Sequence, residues 1–297
     1  MKISRRLTQQ VSTLVARAGT LLVFPLLALV LTVVAAAQTI TFDYPGAMGT
    51  FIKGINDKGL MVGSYWSSDG AEHGFLYDGN NYRLSFDYPN AMWTEAAGID
   101  QNGNVVGFYG IVADNLLRGF LRTASGAFQS LDIPGRFNFM PEGINSSNTI
   151  VGCMHNPGTM HGWIMQNGAL ATISPAYRMY QGINATGTIV GWYYSAPSKL
   201  IGFILNGSGE TSFSYPNANF TDPWGINDYG DVVGGYGQKS SNHGFLLHNG
   251  KFTSIDIEGA AATIALGINN SGQIVGVFGD ANNTSHGFIA DAKNYEE

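Results

Sequence analysis

Hydrophobic residues in this chain come in short runs, rich in β-branched and aromatic side chains, and each run ends at Asn, Asp, Gly or Pro. Short runs bounded by turn residues predict β-strands. Four runs follow one another and then recur. In one stretch they read "YRLSFDYP", "AAGID", "NVVGFY" and "RGFLRT", and we label them strands A, B, C and D. The B–C turn is Asn56-Asp57-Lys58-Gly59 in the first copy and Asn184-Ala185-Thr186-Gly187 in the fourth. An Asx residue opens it, and glycine supplies the positive φ that a tight hairpin needs. The third copy has Asn148 at the glycine position, the residue next best suited to that conformation. Two D–A turns, Asn167-Gly168 and Asn249-Gly250, are two-residue hairpin signals.

The recurrence has a period. "GIN" or "GID" begins at Gly54, Gly98, Gly143, Gly182, Gly225 and Gly267, at intervals of 44, 45, 39, 43 and 42 residues. The glycine of a "VG" pair follows nine residues later in all six copies, from Gly63 to Gly276. A phrase led by His73, Arg118, His161, Ile201, His243 and His286 comes next. An "FDYP"-like phrase with Asp87, Asp132, Ser174, Ser214 and Asp256 follows it, and one extra copy stands before the first unit at Asp43. Four strands per unit, repeated six times, predict an all-β fold, a six-bladed β-propeller of four-stranded blades. Each blade would run B-C-D-A, with the small-residue strand B near the axis. The last unit stops after strand D, while residues 38–45, "QTITFDYP", form an orphan strand A. The expected ring is therefore closed by the N-terminal strand completing the last blade, which leaves no open edge at the seam.

The order "FDYPGA…GIN..G..VG.Y…HGFLY..G" resembles the HAF repeat, a family of extracellular bacterial repeat proteins. The resemblance covers essentially all of residues 38–290. The middle residue of the naming tripeptide is glycine in every copy here, where the family often has alanine. The resemblance implies export and a repeated β architecture, and it brings neither a catalytic mechanism nor a ligand.

The N-terminus agrees with export. Lys2, Arg5, Arg6 and Arg17 precede "TLLVFPLLALVLTVVAAAQ", which ends in Ala35-Ala36-Ala37. Residues 1–37 read as a signal peptide, with 38–297 as the mature propeller. Left uncleaved, the apolar run of about 18 residues would suffice for an anchor helix. With cleavage, no membrane span remains, and the destination is periplasmic or extracellular. The chain has 297 residues, a formal net charge of −6, and only 12% charged residues, with no basic stripe. Nucleic acid is therefore not an expected partner. A composition 44% hydrophobic and 12% aromatic excludes a disordered chain. The single cysteine, Cys153, excludes an intrachain disulfide and reads as a small buried hydrophobe.

Counting back from the Asn249-Gly250 turn sets His248 opposite Lys251 and His243 opposite Asp256. The same count sets His161 opposite Ser174. One extra loop residue lets His73 oppose Asp87 and Arg118 oppose Asp132, and His286 would meet Asp43 across the seam. Ile201 faces Ser214, so both ionisable groups are absent together. The pairs read as cross-strand structural contacts. A metal would need several histidines to converge, whereas these are spread one per blade. Length variation concentrates on the face of the A–B crossings and C–D loops, where a rigid scaffold would present binding residues. The crossings carry Trp93, Glu95, Phe139, Glu142, Arg178, Tyr180, Asp222 and Trp224. Aromatic rings beside a few polar groups suit a glycan, a peptide or a cell-surface protein. A monomeric binding module is the expectation. One alternative is a glycan hydrolase or lyase with Glu95, Glu142 or Asp222 as acid and base. Another is a structural cell-surface or matrix protein. No Ser-His-Asp order, HExxH or phosphate loop appears, and the "IND.G" turns lack the dense carboxylates of a Ca²⁺ loop. No catalytic residue, cofactor or metal is assigned.

Overall fold

The computed structural model describes residues 39–295, apart from 81, 112–113, 134, 136–137, 157, 197–198 and 239–240. The expected signal segment lies outside the described residues. These form twenty-four strands and one short 3-10 turn, Ala292–Asn294. In the first unit Gly49–Ile55, Met61–Trp66, Glu72–Tyr77 and Arg83–Phe86 pair antiparallel in that order. The order is B-C-D-A, and the next units repeat it. Four of the five hydrogen-bonded sheets have four strands. The fifth has eight: two such meanders joined by a single parallel bridge, Leu200 to Phe220. The last sheet takes its outer strand from the other end of the chain. Ile40–Phe42 pairs with Ser285–Asp291, setting Ile40 opposite Ile289 and Phe42 opposite Gly287.

Every strand B carries a β-bulge at the same place. The register slips between Ile52 and Gly54, Ala96 and Gly98, Pro141 and Gly143, Tyr180 and Gly182, Pro223 and Gly225, and Ala265 and Gly267. The bulged residues are Lys53, Ala97, Glu142, Gln181, Trp224 and Leu266. A bulge re-aims one side chain and raises the local twist. The glycine that follows is needed for close approach. A Cβ at Gly98 would lie 2.7 Å from the Glu142 carbonyl oxygen, at Gly182 2.5 Å from that of Trp224, and at Gly267 3.0 Å from that of Lys53. Neighbouring strands B thus pack backbone on backbone, which is why the "GIN" glycine recurs.

The core lies between units. The aromatic residue of the D phrase is fully buried in each: Phe75, Phe120, Trp163, Phe203, Phe245 and Phe288. Each such burial contributes roughly 2–3 kcal/mol. Phe120 packs with Val62 and Phe86 of the preceding unit, and Phe245 with Val190 and Tyr215. At the B–C end the "GIN" asparagines link the units. Asn145 Nδ2 donates to the Asn184 carbonyl, Asn184 to Asn227, and Asn269 to Asn56, each at 3.0 Å. Each Oδ1 meanwhile caps its own turn, as Asn184 does by accepting from Thr188 N at 2.9 Å. Asn148 has φ 57°, and Asn249-Gly250 has φ 49° and 77°, the left-handed pair a two-residue hairpin requires.

Candidate functional site

All six strands B line one cavity of about 420 Å³, mouth included. Its wall consists of the bulged residue, the glycine and the isoleucine of each unit, so the bulged side chains run from Ala97 to Trp224 in size. The six isoleucines, Ile55 to Ile268, also line a second cavity of about 430 Å³ at the B–C end, where Asp57, Gln101 and Asn270 lie.

The first cavity gathers charge from several units. Lys53 Nζ ion-pairs with Glu95. It also lies 5.6 Å from the Phe108 ring centroid and 5.5 Å from that of Trp224, so it touches rings from the second and fifth units. Burial alone would lower the Lys53 pKa, but Glu95, Glu142 and Glu72 outweigh it and hold the ammonium above its usual range. Burial pushes Glu142 up to about 7 against the pull of Lys53, with Glu95 adding to the rise. Burial pushes Asp222 up to about 8; the Trp224 indole opposes this and Glu142 adds to it. Glu72 is raised by burial and by Glu95, although the Ser64 hydroxyl donates to it at 2.6 Å. These side chains keep a few exposed atoms, yet protein surrounds them closely enough to strip their hydration. The indole lies close enough to lower Asp222 without a well-aligned bond: Asp222 Oδ1 and Trp224 Nε1 both lack a partner, as do Gln181 Oε1 and Trp192 Nε1.

No family model and no curated protein matches the sequence. Solved structures do. The β-propeller domain of the trilobed protease from Pyrococcus furiosus is similar at 10% identity over 82% of this chain and 94% of that one, with a TM-score of 0.53. AofleA from Arthrobotrys oligospora matches at 11% over 86% of each chain, with a TM-score of 0.56. The fucose-specific lectin from Aleuria aurantia matches at 10% over 85% of this chain and 91% of that one, at 0.50.

The fold is a β-propeller.

Residues expected to ring the propeller's channel mouth separate by strand alternation. Glu142 and Trp224 line the cavity, while Glu95 reaches it only through its pair with Lys53 and Asp222 lies behind Trp224 with a buried Oδ1. Trp93 stands one step further out, half-buried, edge-on to Phe108 at 6.1 Å and packed over Gly110. Three expectations need correction. Phe139 is 2% exposed and stacks on Trp163 at 4.0 Å, and Tyr180 is 5% exposed and packs on Phe203 and over Gly162, so both are core. Arg178 ion-pairs with Glu210 and lies over Tyr193, away from the cavity. Phe139 and Arg178 occupy the strand position held elsewhere by Thr50, Thr94, Thr221 and Thr263, which points between blades and not into the cavity. Lys53, Gln181 and Glu72 were missed. For the first two the signal was present: each directly precedes a "GIN" or "GID" glycine.

The repeated histidines pair locally. Nδ1 lies 3.0 Å from Asp87 in His73, 2.7 Å from Asp256 in His243, and 2.9 Å from Asp43 in His286. Arg118 Nε lies 3.8 Å from Asp132. The third copy differs from the expected count. The register shifts between Ile164 and Met165, leaving Ala171 unpaired, so Ser174 falls opposite Gly162. His161 Nδ1 meets the Ser174 carbonyl at 2.9 Å, and the Ser174 hydroxyl accepts from Gly162 N. Space also brings Ser67 Oγ within 3.1 Å of His73 Nε2, so that Ser67, His73 and Asp87 touch in chain order, six and fourteen residues apart. The hydroxyl has one proton, however, and Asp69 Oδ1 competes for it at 2.5 Å. In the last blade Asp280 stands in Ser67's place, accepts from Asn282 N and Thr284 N, and lies 3.8 Å from His286 Nε2. The constellation closes the C–D loop. Among the described residues, no His, Cys, Asp and Glu group is placed to hold a metal.

Proposed function

We propose that this chain is an exported six-bladed propeller of the HAF-repeat type, closed by its N-terminal strand, that binds a small polar ligand in its axial cavity. The ring reading is supported by the cyclic succession of close approaches, from Gly54 on the Ala97 carbonyl to Gly267 on the Lys53 carbonyl, and by the pairing of Ile40–Phe42 with Ser285–Asp291. Export is supported by the basic and apolar character of residues 1–37, and no helix among the described residues is long and apolar enough to cross a membrane.

One observation carries the binding reading. Lys53, Glu142 and Trp224 line one cavity, with Glu95 paired to Lys53 and Asp222 beside Trp224 behind that lining, whereas other units place Ala97, Met140, Met179, Ile264 and Leu266 at the equivalent positions. A scaffold alone would keep such a place apolar, since buried charge and unpartnered polar atoms cost stability. The cost is what a preorganised binding site carries. The glycan and peptide classes follow from an indole beside neutral and charged acids; the likeness to a fucose-specific lectin concerns the fold alone. Arrays of glycans and peptides probed with the purified protein should give a hit that Trp224→Ala and Asp222→Asn each weaken about tenfold. A hit indifferent to both changes would move the site elsewhere.

A hydrolase or lyase is the second reading. It is favoured by Glu142 and Asp222 holding their protons near neutrality, as a general acid must. Turnover of a bound glycan, lost in Asp222→Asn while binding persists, would select it.

A further inference from the structure

Glu142, Gln181 and Trp224 are the bulged residues of three consecutive units, so they stand side by side along one wall of the axial cavity. They carry a carboxyl, an amide and an indole, and the buried Gln181 Oε1 becomes open to a ligand when the amide turns toward the cavity. Among the described residues no hydrogen bond reaches the Glu142 carboxyl. Gln181 is 3% exposed, and its Oε1 has no partner. Trp224 already has one ammonium over its ring, that of Lys53. The remaining bulged residues are Lys53 itself, Leu266 and Ala97, the last two small or apolar.

The charge does not balance. Glu72, Glu95 and Glu142 gather around one ammonium, Asp222 stands near Glu142, and Glu95 takes the ammonium by direct pairing. The Cys153 thiol, pushed up by burial and by Glu142, adds no cation. Buried carboxyls without a counter-ion either keep a proton or wait for a cation. Two acceptors that lack donors, beside a π face and an acidic surplus, match the needs of an N–H-bearing cation.

We propose that the cavity takes a primary alkylammonium group, with its N–H donors shared between Glu142 and Gln181 Oε1, its charge over Trp224 and its alkyl stem against Leu266 and Ala97. The proposal rests on the ligand-binding reading above and gives it a ligand class. The same group occurs on a free small amine and on a lysine side chain.

Calorimetric titration of the full chain with n-butylamine, its neutral isostere 1-butanol, and Nα-acetyl-lysine amide tests this. Butylamine should bind saturably and butanol should not. Affinity should rise about tenfold from pH 6 to pH 8 as Glu142 gives up its proton, with buffer-dependent heat at pH 6 marking the proton's release. Glu142→Gln should weaken binding at least about tenfold and flatten the pH dependence. Trp224→Leu should weaken it without flattening. Tighter binding of the lysine amide would assign the group to a peptide, and tighter binding of butylamine to a small amine. Equal behaviour of butylamine and butanol in the wild-type protein, which needs no variant to fold, would overturn the proposal. If an array hit dependent on Trp224 is not displaced by butylamine, the ammonium class falls and the binding reading stands. If no array hit and no amine binds, both fall.

Discussion

Asp222 and Glu142 link the cavity to stability through their protons. Both have folded pKa values above their ordinary 3.8 and 4.5, at about 8 and about 7. Between those limits the folded chain holds protons that the unfolded chain releases. Raising the pH therefore favours unfolding, and this contribution to stability is fully present only below about pH 4 and is lost through pH 8. The melting temperature should fall between pH 5 and pH 8.5. The double variant Asp222→Asn, Glu142→Gln should flatten that slope, and a slope unchanged in the double variant would place its origin elsewhere. At this scale the sequence shows the acids and the indole but not their protonation, because desolvation depends on neighbours that other blades supply.

The element that repeats most faithfully is the B–C turn with its asparagine. Oδ1 caps the turn and Nδ2 reaches the next unit, so one side chain serves two interfaces. Asp100 holds the position in the second unit. Its carboxylate accepts from Asn102 N and Asn104 N, each at 2.8 Å, and has no amide to offer the third unit. Asn56 still donates to the Asp100 carbonyl at 3.0 Å, and Gln101 N reaches Ser146 Oγ at 3.2 Å. Asp100→Asn should add the missing link and raise the melting temperature by about 2–4 °C, the equivalent of about 1 kcal/mol. A drop measured by thermal unfolding would mean that the carboxylate's bond to Asn104 Nδ2, at 2.9 Å, matters more. The hairpins teach a limit at the same scale. Turn chemistry gave the correct partners for His243 and His73, but in the third unit a bulge at Ala171 moved Ser174 by one place. A bulge in a short outer strand leaves no mark in the hydrophobic pattern, since that strand, Ala169–Ile173, is mostly exposed.

Across the whole molecule, the contact that spans the sequence is His286 with Asp43, 243 positions apart and partly exposed. A double-mutant cycle on Asp43→Ala and His286→Ala should return a coupling of about 0.2–1 kcal/mol. Glu258→Ala, on an exposed turn, serves as the surface control. A coupling of zero would leave Ile40–Phe42 held at the seam by its backbone pairing and by Phe42, which stacks on Tyr77 at 4.3 Å. Either way the two ends of the described chain meet in one sheet, which protects an edge strand that would otherwise invite another chain.

The repeat by itself determined the strand order within each unit, the turn conformations, most cross-strand partners and the return of the N-terminal strand. These follow from short-range rules: alternation, turn chemistry and a fixed period. Only the tertiary structure decided which crossing residues face the cavity. Phe139, Tyr180 and Arg178 looked like Glu142 and Trp224 in composition, yet one step of alternation buries or diverts them. It also decided that Lys53 crosses to Glu95 of the second unit and to Trp224, and that Glu142 lies beyond its reach for full pairing. Those relations join residues from different blades, and their distances are set by how the inner strands close on one another, backbone on backbone, at the glycines.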